Sequence, residues 1–234
     1  LTMEYYQSDE YRNAYNETSS PSDYIEMHDN EQPSRLDRIG ATFFRDKIVL
    51  DFGCGGGAFL DLVSGLSRET LGIEPFSGYH ESLIDRGHEM FSNMETAQSK
   101  YKDKVDSIVS FCVLEHVQNP QQYLKDACSL LKKSGKMYLE TDNIHNILMK
   151  FNINSFDEFF YRTAHLYYFE DKTLRKMAEQ AGFSDIRISF RHNYDMSNVM
   201  LWLRDNKPTG NGKLDFLSNG VDQNWIEFVE SSGL

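Results

Sequence analysis

A run of glycines directly after a short apolar strand constrains this chain more than any other feature. Residues 48–50 read Ile-Val-Leu, and residues 51–57 read Asp-Phe-Gly-Cys-Gly-Gly-Gly. Apolar residues then recur at helical spacing from Phe59 to Val63. A strand, a glycine loop and a helix in this order are typical of the first unit of a parallel sheet that is covered by helices. The sequence therefore predicts an α/β fold.

Further apolar segments continue the alternation of strands and helices. One helix is predicted over 120–131, where Asn119 can cap the first turn and Pro120 suits the first position. Another is predicted over 171–181, because Gly182 follows its last turn. The additional predicted strands cover residues 70–73, 90–91, 105–111, 136–139, 186–190 and 199–203. This pattern predicts a doubly wound, mostly parallel sheet.

Two segments fall outside the alternation and set the predicted domain organisation. Residues 1–46 are rich in Tyr, Glu, Asp and Asn and are predicted to form an N-terminal helical cap. Residues 142–171 are rich in Phe and Tyr, and a connection of that length inside a compact domain is usually functional. We therefore predict a core over 47–204 with an aromatic lid at 142–171. A C-terminal extension, which need not be complete, follows over 205–234.

The charge balance argues against nucleic acid as the main partner. The chain has 24 Lys and Arg against 36 Asp and Glu, a formal net charge of −12, whereas proteins that bind a phosphate backbone concentrate positive charge. No stretch approaches the roughly 20 apolar residues needed to cross a bilayer. Cys54, Cys112 and Cys128 form no CxxC pair, so neither a disulfide framework nor a zinc site is indicated. We expect a cytoplasmic protein without a membrane or a metal partner.

The glycine loop predicts an adenosine-type cofactor. Gly53-x-Gly55-x-x-Ala58 satisfies the dinucleotide fingerprint, and Glu74 ends the second strand, where a carboxylate can accept hydrogen bonds from both ribose hydroxyls. Asp51 precedes the first glycine and would repel the pyrophosphate of a dinucleotide. S-adenosylmethionine has no phosphate, and its sulfonium and ammonium groups are attracted to an anion. S-adenosylmethionine is therefore the favoured cofactor.

Several segments together resemble the class I S-adenosylmethionine-dependent methyltransferases. They are residues 49–57, 72–75, 106–109 with 113–117, and 130–135. The pattern His165-x-x-Tyr168-Phe169, followed by residues 181–183, is similar to the branch that modifies small molecules, including ubiquinone-pathway and sugar methyltransferases. The resemblance implies a Rossmann-like, doubly wound sheet of seven strands, parallel except for an antiparallel last strand.

The same resemblance assigns residues to parts of the cofactor. It implies that the residues near the methionine part are Asp51, Phe52, Gly53, Cys54 and Gly55. It places Glu74 on the ribose, with Pro75 beside it, and the turn at Asn93 and Met94 near the adenine. Phe111 and Cys112, which end the fourth strand, would line the cofactor. The chain lacks the Asp that often follows the third strand, and Asn93 or Glu95 could replace it.

Histidine is the candidate general base, because a hydroxyl or amine acceptor must lose a proton and the imidazole pKa suits that near neutrality. His116 follows the fourth strand at the expected cofactor edge, and His165 lies in the aromatic insertion. We predict these two as catalytic residues, and a local packing role remains an equal alternative for each. His28, in the N-terminal segment, is a third candidate.

The resulting hypothesis is a methyltransferase that acts on a small polar molecule. The expected reaction is O-methylation of a sugar, a nucleotide-sugar or a cell-surface polysaccharide precursor. N- or C-methylation stays open, because the sequence indicates the donor site and not the acceptor. An NAD-dependent oxidoreductase is less favoured, since it conflicts with Asp51 and lacks a downstream Tyr-x-x-x-Lys pair. A module that only binds the cofactor is the non-enzyme alternative.

Overall fold

In a computed structural model, the chain divides into two units, Leu1–Thr141 and Asp142–Leu234. The structure describes residues 5, 8, 18, 20–151, 153–207, 212–217 and 219–233. Most of the predicted cap before residue 20 therefore lies outside the described residues. The boundaries predicted at residues 46 and 204 stay predictions.

A parallel sheet of five strands, counted over the described ranges, forms the centre of the first unit, with the order β3-β2-β1-β4-β5. The strands are β1 (Ile48–Phe52), β2 (Glu69–Ile73), β3 (Glu89–Phe91), β4 (Val105–Phe111) and β5 (Leu131–Glu140). β1 pairs with β2 on one side and with β4 on the other. The strand order therefore reverses beside β1, and in open α/β sheets ligands bind at such a point, outside the carboxyl ends of the strands.

In the first unit, two helices precede β1 and four more connect the strands, as far as the described residues extend. They are α1 (Pro21–His28), α2 (Gln32–Ile39), α3 (Ala58–Ser64), α4 (His80–Asp85), α5 (Met94–Tyr101) and α6 (Pro120–Leu130). The predicted cap of α6 is confirmed, because the Asn119 side chain accepts a hydrogen bond from the Gln122 amide (3.0 Å) and Pro120 is the first helical residue. α6 ends at Leu130, and β5 begins at Leu131, earlier than the predicted start at residue 136.

Burial explains why the central strands read as continuous apolar runs. The strand residues that are at most 1% exposed include Val49, Leu50, Leu71, Ile73, Ile108 and Val109. Strands that are covered on both faces have this composition. Phe59 of α3 belongs to one buried cluster with Val49 and Val109. Leu60, the next residue of α3, belongs to another with Leu83 of α4.

The second unit is helical in the part that is described. Its helices are α7 (Asn154–Phe160), α8 (Asp171–Ala181), α9 (Met196–Asp205) and α10 (Asn219–Ser232). Phe156 of the predicted lid segment is fully buried, and its ring lies 5.1 Å from the Trp202 ring of α9. None of the helices, as far as the described residues extend, is long and apolar enough to span a bilayer.

Two predicted strands are wrong. Residues 186–190, all of them described, form no strand, although their apolar and polar residues alternate. Residues 199–203 lie inside α9, which Asp195 caps by accepting a hydrogen bond from the Asn198 amide (2.8 Å). A short apolar run does not distinguish a strand from a buried helix. The seven-stranded sheet with an antiparallel last strand is accordingly not confirmed.

Candidate functional site

The glycine loop after β1 needs glycine for two physical reasons. Gly53, Gly55 and Gly57 have φ angles of +76°, +52° and +87°, a region that other residues rarely adopt. A Cβ at Gly53 would lie 2.5 Å from a Val113 methyl group, and one at Gly57 would lie 2.2 Å from a Leu83 methyl group. The loop therefore combines an unusual backbone conformation with close packing from behind.

The Glu74 carboxylate binds the glycine loop directly. It is 8% exposed, and its Oε2 accepts a hydrogen bond from the Gly55 amide (3.1 Å). Its Oε1 accepts one from the Phe76 amide (2.9 Å). A carboxylate has about four acceptor positions in all. Glu74 is therefore a buried group, not a solvated one, and it joins the end of β2 to the loop.

Asp51, near the end of β1, is a buried carboxyl group. It is 2% exposed, and its Oδ1 has no hydrogen-bond partner among the described residues. Burial raises the pKa of Asp51 from 3.8 to about 7, while the positive charge of Arg35 lowers it and the negative charge of Glu74 raises it further. A carboxyl group in this setting is poised to ionise when a cation binds beside it.

Arg35 of α2 is a site residue that the sequence reasoning missed. Its guanidinium carbon lies 4.3 Å from the centre of the Phe111 ring, and its Nε lies 3.8 Å from Oε2 of Glu140. The side chain is 14% exposed, and its charge acts on Asp51. α2 thus brings a cation to the carboxyl edge of the sheet. No spacing rule marks an arginine inside a polar N-terminal segment.

The other predicted cofactor residues lie at the same strand ends or directly after them. Phe52 meets the Tyr123 ring edge to face at 4.5 Å. Cys54 is buried, which holds the pKa of its thiol well above 9.0, and nearby Asp51 and Glu74 raise it further. Cys112 is exposed and has a φ of +55°. Pro75 directly follows Glu74 and is half-buried.

Asn93 and Met94 follow the end of β3. The register of β2 and β3 pairs Ile73 with Phe91, so the turn at residues 93–94 lies at the same edge as Glu74. The Asn93 side-chain oxygen accepts a hydrogen bond from the Thr96 amide (3.0 Å) and caps α5. The structure therefore gives Asn93 a capping role in addition to its predicted position near an adenine.

A tyrosine from α1 covers the glycine loop. The Tyr24 hydroxyl lies 2.2 Å from where a Cβ at Gly55 would be, and the ring also packs on Gly56. The His28 ring lies 4.3 Å from the Tyr24 ring. The N-terminal segment therefore contributes aromatic side chains to this part of the first unit, and His28 is one of them.

His116 is the last residue of a 3-10 helix, Leu114–His116, that follows β4. Its neighbour Glu115 is 1% exposed and accepts a hydrogen bond from the Thr141 hydroxyl (2.9 Å). The turn that carries His116 is thus anchored to the residue that follows β5. His116 is half-buried at the carboxyl end of β4, as its position in the sequence predicts.

His165 belongs to the second unit and has a carboxylate partner there. Its Nδ1 lies 3.0 Å from Oδ2 of Asp142, and its side chain is 9% exposed. The Tyr168 ring lies 5.5 Å from the imidazole. Asp142 therefore places a negative charge beside this imidazole. Asp142, the first residue of the predicted lid segment, is therefore the carboxylate neighbour of His165.

Comparisons with known proteins agree with this geometry. A family model described as a methyltransferase domain matches residues 25–188, more than half of the chain. The ubiquinone biosynthesis O-methyltransferase of Yersinia enterocolitica is 31% identical over 125 residues, which are 47% of this chain and 50% of that protein. The protein of the same name from Aeromonas salmonicida is 30% identical over 122 residues, with the same shares. The chain spans about half the length of the curated relatives it matches.

A solved structure of similar fold covers almost the whole chain. A SAM-dependent methyltransferase from Archaeoglobus fulgidus matches 95% of this chain and 89% of its own, with a TM-score of 0.61 and 21% identity. Magnesium protoporphyrin IX methyltransferase from Synechocystis, solved with bound SAH, matches 82% of this chain and 91% of its own, with a TM-score of 0.55 and 15% identity. At these identities the likeness shows the fold.

Proposed function

Because this chain belongs to the class I S-adenosylmethionine-dependent methyltransferases, we propose that it methylates an oxygen atom of a small polar acceptor. The proposed acceptor is a sugar, a nucleotide-sugar or a polysaccharide precursor. Two curated relatives are named as O-methyltransferases of ubiquinone biosynthesis, which supports oxygen as the atom methylated. S-adenosylmethionine supplies an activated methyl group on a sulfonium.

The opposite charges of Asp51 and Arg35 at the carboxyl edge of the sheet are the observation that carries the proposed donor site. The amino-acid end of the donor has one ammonium and one carboxylate group. Asp51 offers a buried carboxyl group with an unpartnered Oδ1 in the described part of the chain, and Arg35 offers a guanidinium whose charge reaches Asp51. Opposite charges on the ligand match both groups. A pyrophosphate would instead meet the Asp51 carboxylate.

The remaining assignments follow the strand ends. We assign the ribose hydroxyls to Glu74, which the Gly55 amide already holds in position. The absence of a Cβ at Gly55 and Gly56 lets the Tyr24 side chain pack directly on the loop. Pro75, Asn93 and Met94 are proposed to contact the ribose and adenine, and Phe111 and Cys112 are proposed to line the same site. Each assignment is tested by the effect of substitution on donor affinity.

His165 is the proposed general base. The imidazole, whose Nδ1 lies 3.0 Å from Asp142, would take the proton of an acceptor hydroxyl. The hydroxyl oxygen would bond to the methyl carbon as the carbon–sulfur bond breaks, and S-adenosylhomocysteine would leave. His116 is the alternative base, and nothing else in the proposed reaction depends on which of the two acts.

A panel of acceptors with radiolabelled S-adenosylmethionine tests the function. Sugars, nucleotide-sugars, hydroxylated aromatic compounds and amines are offered to the wild-type chain, and transfer to a hydroxyl compound is the expected result. Transfer only to amines would replace the O-methylation proposal. Binding of S-adenosylhomocysteine with no transfer to any acceptor would favour a module that only binds the cofactor.

Substitution of His165 and of Asp142 tests the base. His165→Gln is expected to lower turnover by roughly 10²- to 10⁴-fold with donor affinity unchanged. Asp142→Asn removes the carboxylate beside the imidazole. His145→Gln is a matched control, since His145 forms a comparable but exposed pair with Glu170 (3.5 Å). Full activity of His165→Gln, combined with loss in His116→Asn, would move the assignment to His116.

A further inference from the structure

The glycine loop is held from behind by a chain of polar contacts that no assignment above includes. The Arg86 guanidinium donates from Nη2 to the Gly56 carbonyl oxygen (2.6 Å) and from Nε to the Ser82 carbonyl oxygen (3.1 Å). Its Nη1 forms an ion pair with Asp61. Asp61 lies in α3, the helix that begins directly after the loop. Arg86 therefore ties the loop both to α3 and to α4.

Asp61 is itself oriented by a buried histidine. His88 Nε2 lies 2.9 Å from Asp61 Oδ1, and His88 Nδ1 lies 2.7 Å from the Thr70 hydroxyl. His88 is 3% exposed and Thr70 is 6% exposed. Thr70 is a residue of β2, paired with Val49 of β1. Both imidazole nitrogens thus have partners, and the Asp61 carboxylate is fixed to the rigid centre of the sheet.

These contacts restrain one particular peptide of the loop. The Gly56 carbonyl accepts from Arg86, and the Gly57 amide of the same peptide plane donates to the Cys54 carbonyl oxygen (2.9 Å). Glycine on both sides means that no Cβ opposes rotation of this peptide. The bond from Arg86 is therefore a principal restraint on its orientation.

We propose that Arg86, Asp61 and His88 are positioning residues that preorganise the glycine loop for the donor without touching it. The inference rests on the proposed function, in which the donor lies on this loop. A loop that is already ordered loses less conformational freedom on binding, so the affinity for the donor is higher. Loss of a hydrogen bond with a charged donor group should weaken binding by about tenfold.

Calorimetric binding of S-adenosylhomocysteine to the full chain tests this role. Arg86→Gln and Asp61→Asn are each expected to weaken binding by about tenfold, and the double variant by no more than either one, because all act through one chain of contacts. Arg86→Lys keeps a cation beside Asp61, so it is a second variant in which loss of the ion pair does not by itself unfold the protein. It is expected to bind as weakly as Arg86→Gln, since an ammonium lacks the planar fork that reaches two acceptors.

Arg68→Gln is the matched control. Arg68 pairs with Asp106 (3.2 Å) at the amino ends of β2 and β4, the opposite edge of the sheet. Its affinity for S-adenosylhomocysteine should equal that of the wild type. Wild-type affinity in Arg86→Lys, equal loss in Arg68→Gln or additive losses in the double variant would each overturn the inference. Absence of binding by the wild type would overturn the proposed function instead.

Discussion

Donor binding should release a proton from Asp51. Burial raises the pKa of this carboxyl group to about 7, with Arg35 lowering it and Glu74 raising it to smaller extents. A cationic ligand beside the group favours its ionised form. At pH 6 about nine in ten unliganded molecules would carry the proton. The dissociation constant for S-adenosylhomocysteine should therefore be about tenfold larger at pH 6 than at pH 8.

The same pKa makes an opposite prediction for the stability of the unliganded protein. A carboxyl group whose folded pKa is raised stabilises the fold below its ordinary pKa of 3.8, and this contribution is lost as the pH rises to about 7. At about 1.36 kcal/mol for each pKa unit, the ionised Asp51 destabilises the unliganded fold by roughly 4 kcal/mol at pH 8. Asp51→Asn should therefore melt higher than the wild type at pH 8 and yet bind the ligand more weakly.

Titration calorimetry in pairs of buffers that differ in ionisation enthalpy measures both affinity and proton release. The wild type should release about 0.9 proton at pH 6 and about 0.1 at pH 8, and Asp51→Asn should release none. Asp106→Asn is a control, because that carboxylate pairs with Lys132 (2.8 Å) at the amino end of the sheet. An affinity that is flat between pH 6 and pH 8, without proton release, would refute the reasoning.

Three further predictions use other described contacts. Arg35→Gln should weaken the binding of S-adenosylhomocysteine by roughly 10- to 150-fold. It should leave adenosine binding unchanged, because adenosine has no carboxylate. Equal weakening of both ligands in calorimetry would contradict this role. Gly57→Ala should lower the free energy of unfolding by roughly 2–5 kcal/mol, since φ is +87° and Leu83 lies 2.2 Å from the added Cβ. Gly65→Ala, with open space around it, should be nearly neutral in the same urea titration. Burial lowers the pKa of His192 to about 4. The neutral imidazole therefore contributes fully to the free energy of unfolding above pH 6.5, and acidification towards pH 4 should lower that free energy by roughly 3 kcal/mol. Urea unfolding followed by tryptophan fluorescence at pH 6.5 and near pH 4 checks this. The free energy of unfolding of His192→Phe should fall less on acidification than that of the wild type.

Local patterns were sufficient for the first part of the fold. Residues 48–57 form the predicted strand and glycine loop, and the cap at Asn119 starts α6 where expected. These features depend on neighbours within a few residues. Glu74 was identified from its place after a strand, and its bond to the Gly55 amide follows from parallel pairing of β1 with β2. The geometry at the carboxyl edge is thus a direct consequence of the order of strands.

Tertiary packing decided the rest. The apolar run at 199–203 suits a strand or a buried helix equally, and burial of Val199 and Trp202 in an aromatic cluster with Phe156 accompanies the helix. Residues 186–190 alternate as a strand should, but a strand also needs a pairing partner, which the sequence does not specify. The charge of Arg35 acts on Asp51 because α2 places the guanidinium beside the Phe111 ring at the end of β4. The sequence alone determined which side chains follow each strand, whereas the raised pKa of Asp51 comes mainly from burial, which only the tertiary structure creates.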